Sequence, residues 1–173
     1  VRGCAVTLQR AFVPPQGSSL TLRTGTLADV NDLEALELRS FMHDRLSRRS
    51  FARYLNSPTA VLIIAESGGT LCGYALVLFC SRRECARLYS IAVDGQYAGQ
   101  RIGSRLLSAA ENAAHHRGAN AMRLEVREAN ILATNLYRKF GYSLIGKIFD
   151  YYEDKSTALR LQKRLSTPSS STA

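Results

Sequence analysis

Hydrophobic and polar positions follow two rhythms along this chain, and the change of rhythm marks the elements. Residues 121–127 alternate strictly: Met122, Leu124 and Val126 fall on one side, Arg123, Glu125 and Arg127 on the other. A period of two is that of a half-buried strand. Between Arg101 and Arg117 the apolar positions Ile102, Leu106, Ala110 and Ala113 recur every three or four residues, with Gly118 as a stop, which predicts a helix. "ARLYSIAV", 86–93, predicts the strand before it. Two apolar runs around Ser67-Gly68-Gly69 predict a hairpin. Nearer the N-terminus, 20–24 reads as a short strand. Thr26-x-x-Asp29 then opens a helix carrying Val30, Leu33 and Leu36 and reaching about Phe41. Phe51, Tyr54 and Leu55 predict a second, short helix before Pro58. Further on, "NILATNLYRKFG" predicts a helix, and "YSLIGKIFDYYE" and "TALRLQKRL" predict two closing strands.

The predicted order is β-α-α-β-β-β-α-β-α-β-β. The strand–helix–strand unit at its centre predicts two parallel neighbours joined by a right-handed crossover. One α/β domain over 20–165 accounts for every element. Residues 1–19 read as an extension broken at Pro14-Pro15, and the Ser/Thr-rich segment 166–173 as a disordered tail.

Composition narrows the function classes. The chain of 173 residues carries 23 basic and 14 acidic side chains, net charge +9, which favours anionic partners. The aromatic-rich basic motifs of RNA readers are absent, so no specific nucleic acid is expected. Cys4, Cys72, Cys80 and Cys85 show no CxxC spacing, and the histidines are His43, His115 and His116. No metal site is expected; reduced, mostly buried thiols are. No apolar run reaches the roughly 20 residues that span a bilayer. The first residues make a poor signal peptide, so a cytoplasmic protein is the expectation.

The segment "VDGQYAGQRIGSRLL", 93–107, joins a predicted strand to a predicted helix. A helix entered this way points unpaired N–H groups and its positive dipole end at the sheet's carboxyl edge, where anions bind. A Gln/Arg-x-x-Gly-x-Gly/Ala phosphate pattern is half present: Gly103 is its last glycine, but Arg101 stands at the middle glycine and Ala98 at the leading position. Arg101 costs little with right-handed angles and about 1–2 kcal/mol with left-handed ones. Gly103, just inside the helix, costs about 1 kcal/mol relative to Ala, which the close approach of a ligand or a neighbouring strand would justify. The segment is either a variant phosphate loop or a plain turn.

The following stretch, "LEVREANILATNLYRKFGY", places Glu125 on a strand, Asn130 at a helix start and Tyr137 within the helix. Together with "LYSIAV", the loop, "DRLSRRSF" and the late "DYYED" and "ALRL", it resembles the GNAT superfamily of acetyl-CoA-dependent N-acetyltransferases over about residues 20–164. Within it, the chain is most similar to the bacterial ribosomal-protein-alanine N-acetyltransferases. The resemblance implies a GNAT fold: a mostly antiparallel twisted sheet flanked by about four helices, with one parallel βαβ pair splayed to bind acetyl-CoA. It implies that the backbone of Ile91, Ala92 and Val93 binds the pantetheine arm. Gly99, Gln100, Arg101, Ile102, Gly103 and Ser104 would cradle the pyrophosphate, and Asn130 would touch the cofactor. Glu125 is implied as general base and Tyr137 as the acid that protonates the departing thiolate. The acceptor is an amine, foremost the N-terminal α-amine of a protein or peptide, a ribosomal one included, with Tyr151 and Tyr152 lining its cleft. A monomer or homodimer is expected, with no membrane partner.

Each role has a rival in the residues themselves. Glu125 can pair with Arg123 or Arg127. Tyr137 can be a core residue, spaced with Ala133 and Phe140. Asn130 is a good N-cap in any case. Tyr151 and Tyr152 can pack a strand pair, and Arg45, Arg48, Arg49 and Arg53 can form a solvated face. Two further functions compete: transfer to a small polycationic amine such as a polyamine or aminoglycoside, and a non-catalytic basic binding module.

Overall fold

The computed structural model describes residues 5–6, 19–80 and 85–165. The tail 166–173 and most of the extension lie outside them. Seven strands form one sheet: β2 (Leu20–Thr24), β3 (Ala60–Ser67), β4 (Thr70–Phe79), β5 (Cys85–Val93), β6 (Ala121–Arg127), β7 (Ser143–Ile148) and β8 (Ala158–Arg164), in the order β2-β3-β4-β5-β6-β8-β7. Only β5 and β6 run parallel within that row; the other neighbours are antiparallel. A two-residue strand, β1 (Ala5–Val6), pairs in parallel with Ala92–Val93; the extension was not expected to contribute one.

Four helices cover the sheet. α1 (Val30–Ser40) and α2 (Arg48–Leu55) lie on one face, with Leu33, Leu36 and Phe51 packed on Leu62, Ile64, Tyr74 and Leu76. α3 (Ile102–His116) and α4 (Ile131–Lys139) take the other, where Leu106, Ala110, Ala133 and Tyr137 meet Ala75, Leu88, Met122 and Leu124. The expected alternation of β6 decides the sides: Met122, Leu124 and Val126 enter the second core and Arg123, Glu125 and Arg127 face the first side. A Cβ on Gly73 would meet the Ala92 carbonyl at 2.9 Å and Leu106 at 3.0 Å, so the missing side chain lets α3 seat close on β4.

The expected elements are present, with local differences. Thr26 opens a single 3-10 turn, Leu27–Asp29, before α1; its backbone N–H donates to Asp29 Oδ2 at 2.7 Å. The run read as one strand through Glu153 stops at Ile148, and a loop follows in which Asp150 and Lys155 take positive φ. Among the described cysteines Cys72 is buried and Cys85 half-buried, but Cys80 is exposed.

Candidate active site

The parallel pair is a fork. β5 and β6 are in register from Cys85↔Ala121 to Leu88↔Leu124 and then part. A bulge sits at the same point: Leu88 and Ser90 face successive residues of β4, Val77 and Leu76, leaving Tyr89 as the extra residue. A bulge bends a strand and increases its twist, which carries residues 89–93 away from β6. Glu125 is the first β6 residue beyond the last pair.

Above the fork, Asp94 starts the connection to α3. It is buried, accepts the Gln96 N–H at 3.0 Å, and is held by Arg39 of α1 through Nε at 3.0 Å and Nη2 at 2.9 Å. The exposed loop 98–101 follows, with Gly99 at φ +82° and Arg101 at φ +57°. Arg101 is therefore in the left-handed conformation, the costly alternative, and is the N-cap of α3 without a side-chain cap bond. Gly103, in contrast, has positions around it that only brush a Cβ: Leu136 Cδ2 at 3.7 Å and Val93 Cγ2 at 3.8 Å. Those are ordinary contacts. Protein packing does not demand glycine there, whereas a ligand lying on the backbone would. The same contacts show α3, α4 and the end of β5 converging on one point above the fork. The first N–H groups of α3 have no intrahelical partner and face it.

Arg101 yields a direct prediction. Arg101→Gly removes the left-handed penalty against a smaller gain in unfolded-chain entropy, so the chain should gain about 0.5–1 kcal/mol and its thermal midpoint should rise by roughly 1–4 °C. An unchanged or lower midpoint in calorimetry contradicts the conformation.

On the opposite face of the fork lies a cleft of about 320 Å³ whose lining includes Leu78, Arg87, Arg123, Glu125 and Arg160. Glu125 is buried to 5% exposure and both its oxygens are engaged: Oε2 accepts from Arg87 at 2.7 and 2.8 Å, and Oε1 from Arg160 Nε at 2.9 Å. The partners are not the neighbours Arg123 and Arg127 anticipated from the sequence. Burial works against the Arg87 charge, Glu125 outweighs it, and the guanidinium's pKa is raised. Arg87 also donates to the Tyr151 hydroxyl at 2.7 Å. Burial, then the Glu125 carboxylate, push that phenol up to about 12, so it stays protonated at neutral pH.

Arg127 has another task. It donates to Asp44 at 3.0 Å, between α1 and α2, and to Asp154 at 2.7 Å, between β7 and β8, and its guanidinium lies 4.0 Å from the centre of the Tyr152 ring. It thus ties together the two loops beside the cleft. Tyr152 is 3% exposed, whereas Tyr151 is half-buried and reaches the cleft only through its bond to Arg87. Asn130 caps α4, accepting the Ala133 N–H at 3.1 Å. Tyr137 is buried on α4 next to Leu136, edge-on to Tyr142 with ring centres 5.7 Å apart. Arg48 approaches Glu34 at 3.7 Å and Arg53 stacks on Tyr54, as a solvated face would. Arg87, Arg160, Asp94 and the Arg127 tie were missed; only Asp94, an N-cap type at a strand end, carried a local signal.

A larger groove, about 690 Å³ between Pro58, Phe79 and Arg117, holds no comparable charge cluster; volume alone does not locate the chemistry. Among the described residues no group of His, Cys, Asp or Glu is arranged to hold a metal ion, and no helix is long and apolar enough to cross a membrane.

Comparison with known proteins agrees with this geometry. Residues 28–142 match the model of the acetyltransferase (GNAT) family. N-alpha-acetyltransferase RimI of Mycobacterium tuberculosis is 36% identical over 136 residues, 77% of this chain and 84% of its own length. The ribosomal-protein-S18-alanine N-acetyltransferase of Escherichia coli superposes with a TM-score of 0.78 at 23% identity, over 90% of this chain and 99% of that one. A Salmonella typhimurium acetyltransferase solved with its cofactor acetyl-CoA has a TM-score of 0.75 at 18% identity, over the same shares. The forked sheet, the helix start above it and the carboxylate at the vertex thus belong to a member of the acetyltransferase (GNAT) family, an N-acetyltransferase.

Proposed function

We propose that this chain transfers acetyl from acetyl-CoA to the N-terminal α-amine of a protein or peptide. The observation that carries the reading is the fork with Glu125 at its vertex, reached from one side by the α3 start and from the other by an open, half-exposed cleft. Backbone groups of Ile91–Val93 and the N–H groups of Ile102, Gly103 and Ser104 fit the pantetheine and pyrophosphate, and the unexplained absence of a Cβ at Gly103 supports the second contact. Bound there, acetyl-CoA supplies an acetyl group activated as a thioester.

An amine attacks only when neutral. An α-amine with a pKa near 7.7–8 meets that condition far more readily than a lysine near 10.4. Arg87, Arg123 and Arg160 add to this, because nearby positive charge disfavours the ammonium form. Glu125, held in place by Arg87 and Arg160, accepts the amine's hydrogen bond and takes its proton directly or through a water. The new N–C bond forms as the C–S bond breaks, and Tyr137 hands its phenolic proton to the departing sulfur. The chain's similarity to RimI-type enzymes supports an α-amine over a side-chain amine, a ribosomal protein being one such acceptor.

Mass spectrometry of two otherwise identical peptides tests this, one with a free α-amine and one α-blocked with an internal lysine. Acetylation confined to the first, with a rate that rises with pH towards the amine's pKa, is the expected result. Transfer to the lysine, or to spermidine in preference to both, overturns it.

A further inference from the structure

We infer that the acceptor is a peptide bearing acidic side chains within the first few residues after its α-amine. This rests on the proposed function and adds the chemistry of the residues recognised.

The cleft at the fork carries three guanidinium groups against one carboxylate. Arg87 and Arg123 are direct partners across β5 and β6, and Glu125 and Arg160 across β6 and β8. All four line the same cleft. Like charges directly opposite on a sheet destabilise it, and here one such pair sits beside a third cation. Glu125 compensates Arg87 and Arg160. Arg123 has no carboxylate within ion-pair distance among the described residues; its polar neighbour is the Cys85 sulfur, 3.8 Å from Nη2. Tyr151, protonated, contributes no charge. Among the described residues the cleft therefore holds an excess of two positive charges.

Those charges remain reachable. The side chains of Arg87 and Arg160 are 36% and 38% exposed. α1 and α2 pack on β3, β4 and β5, so this half of the sheet face keeps its polar residues in contact with solvent. The lining is partly apolar, with Leu78, Phe79 and Ala86, which lowers the local dielectric and strengthens each charge.

A guanidinium is a planar fork of donors that matches a carboxylate in two parallel bonds. With the α-amine at Glu125, an extended acceptor places its second and third residues within about 7 Å. Arg123 lies two residues along β6 from Glu125, at that spacing. Carboxylates from Asp or Glu at those positions would complete the charge balance the chain leaves open. A polyamine or an aminoglycoside would bring more positive charge into the same space, and so would a peptide continuing with Arg or Lys.

Three peptides, Ala-Asp-Glu-Phe, Ala-Asn-Gln-Phe and Ala-Arg-Lys-Phe followed by a common neutral sequence, separate the outcomes in a steady-state assay with acetyl-CoA. The acidic peptide should exceed the neutral one in kcat/KM by about 10- to 100-fold, mostly through KM, and the basic one by more. The advantage should shrink as salt rises. In Arg123→Gln the ratio of acidic to neutral kcat/KM should fall about tenfold; a ratio unchanged in a folded variant removes Arg123 from recognition. Equal use of the peptides, or preference for the basic one, overturns the acidic specificity while leaving α-amine transfer standing. Acetylation of none of them overturns both.

Discussion

Tyr137→Phe is expected to lower kcat by at least about 100-fold, the lower end of what a positioned general acid contributes. The substitution removes one hydroxyl and keeps the ring. The ring is what the core uses: it is 1% exposed and edge-on to Tyr142. Stability should therefore change by no more than about 1–2 kcal/mol, the worth of the hydroxyl's hydrogen bonding. Binding of acetyl-CoA, read as a thermal shift, should be retained, because no backbone donor is touched. A variant that binds the cofactor, stays folded and turns over at the parent rate assigns Tyr137 to the core alone. Glu125 offers a less clean test, since its removal also leaves Arg87 and Arg160 without their shared carboxylate.

The largest stability effect should come from a residue outside the cleft lining. Glu37 of α1 is fully buried and accepts from the Leu46 N–H and the Tyr74 hydroxyl, which also bonds Ser90 at 2.7 Å. Glu37→Ala strips two buried donors of their acceptor at about 1–3 kcal/mol each. A loss of roughly 2–6 kcal/mol follows, which lowers the midpoint by about 4–24 °C. Glu37→Gln should be milder. The amide oxygen can serve the Leu46 N–H, and the Tyr74 hydroxyl can turn to accept from the amide nitrogen while donating to Ser90. Calorimetry on both variants decides: equal losses show that the carboxylate is not the acceptor for these groups. Leu46 adjoins Asp44, so Glu37→Ala should also loosen the Arg127 tie between the loops.

What was legible in the sequence is what local periodicity encodes. The sides of β6 follow from strict alternation, and α3 from its apolar spacing, its Gly118 stop included. The ionic chemistry was not legible in the same way. Glu125 meets Arg87 and Arg160 across 38 and 35 residues of chain, and which arginine stands opposite is set by sheet register. The bulge at Tyr89 leaves no compositional mark either. In the segment after Ile148, Tyr151 and Tyr152 have strand propensity, yet tertiary contacts hold them in a loop: Tyr151 with Arg87 and Tyr152 under Arg127. At Arg101 the sequence signal was the missing glycine, and only the backbone angle decided between its two readings.

The short strand β1 bears on how tightly the fork can hold anything else. Ala92 and Val93 face β4 along one edge, opposite Tyr74 and Gly73. Ala5 and Val6, their parallel partners, must therefore occupy the other edge, the one proposed for the pantetheine arm. The chain carries its own tethered competitor for that edge. A tether supplies an effective concentration that a free ligand has to outbid, and two ladder residues contribute only about 1–3 kcal/mol. If nine-tenths of the molecules held the edge in this way, the apparent dissociation constant for the cofactor would rise about tenfold with no change in the site itself. On the proposed mode of binding, the affinity for the acetyl donor would then depend on two segments of chain, the loop proposed for the phosphates and the N-terminal residues paired to the edge.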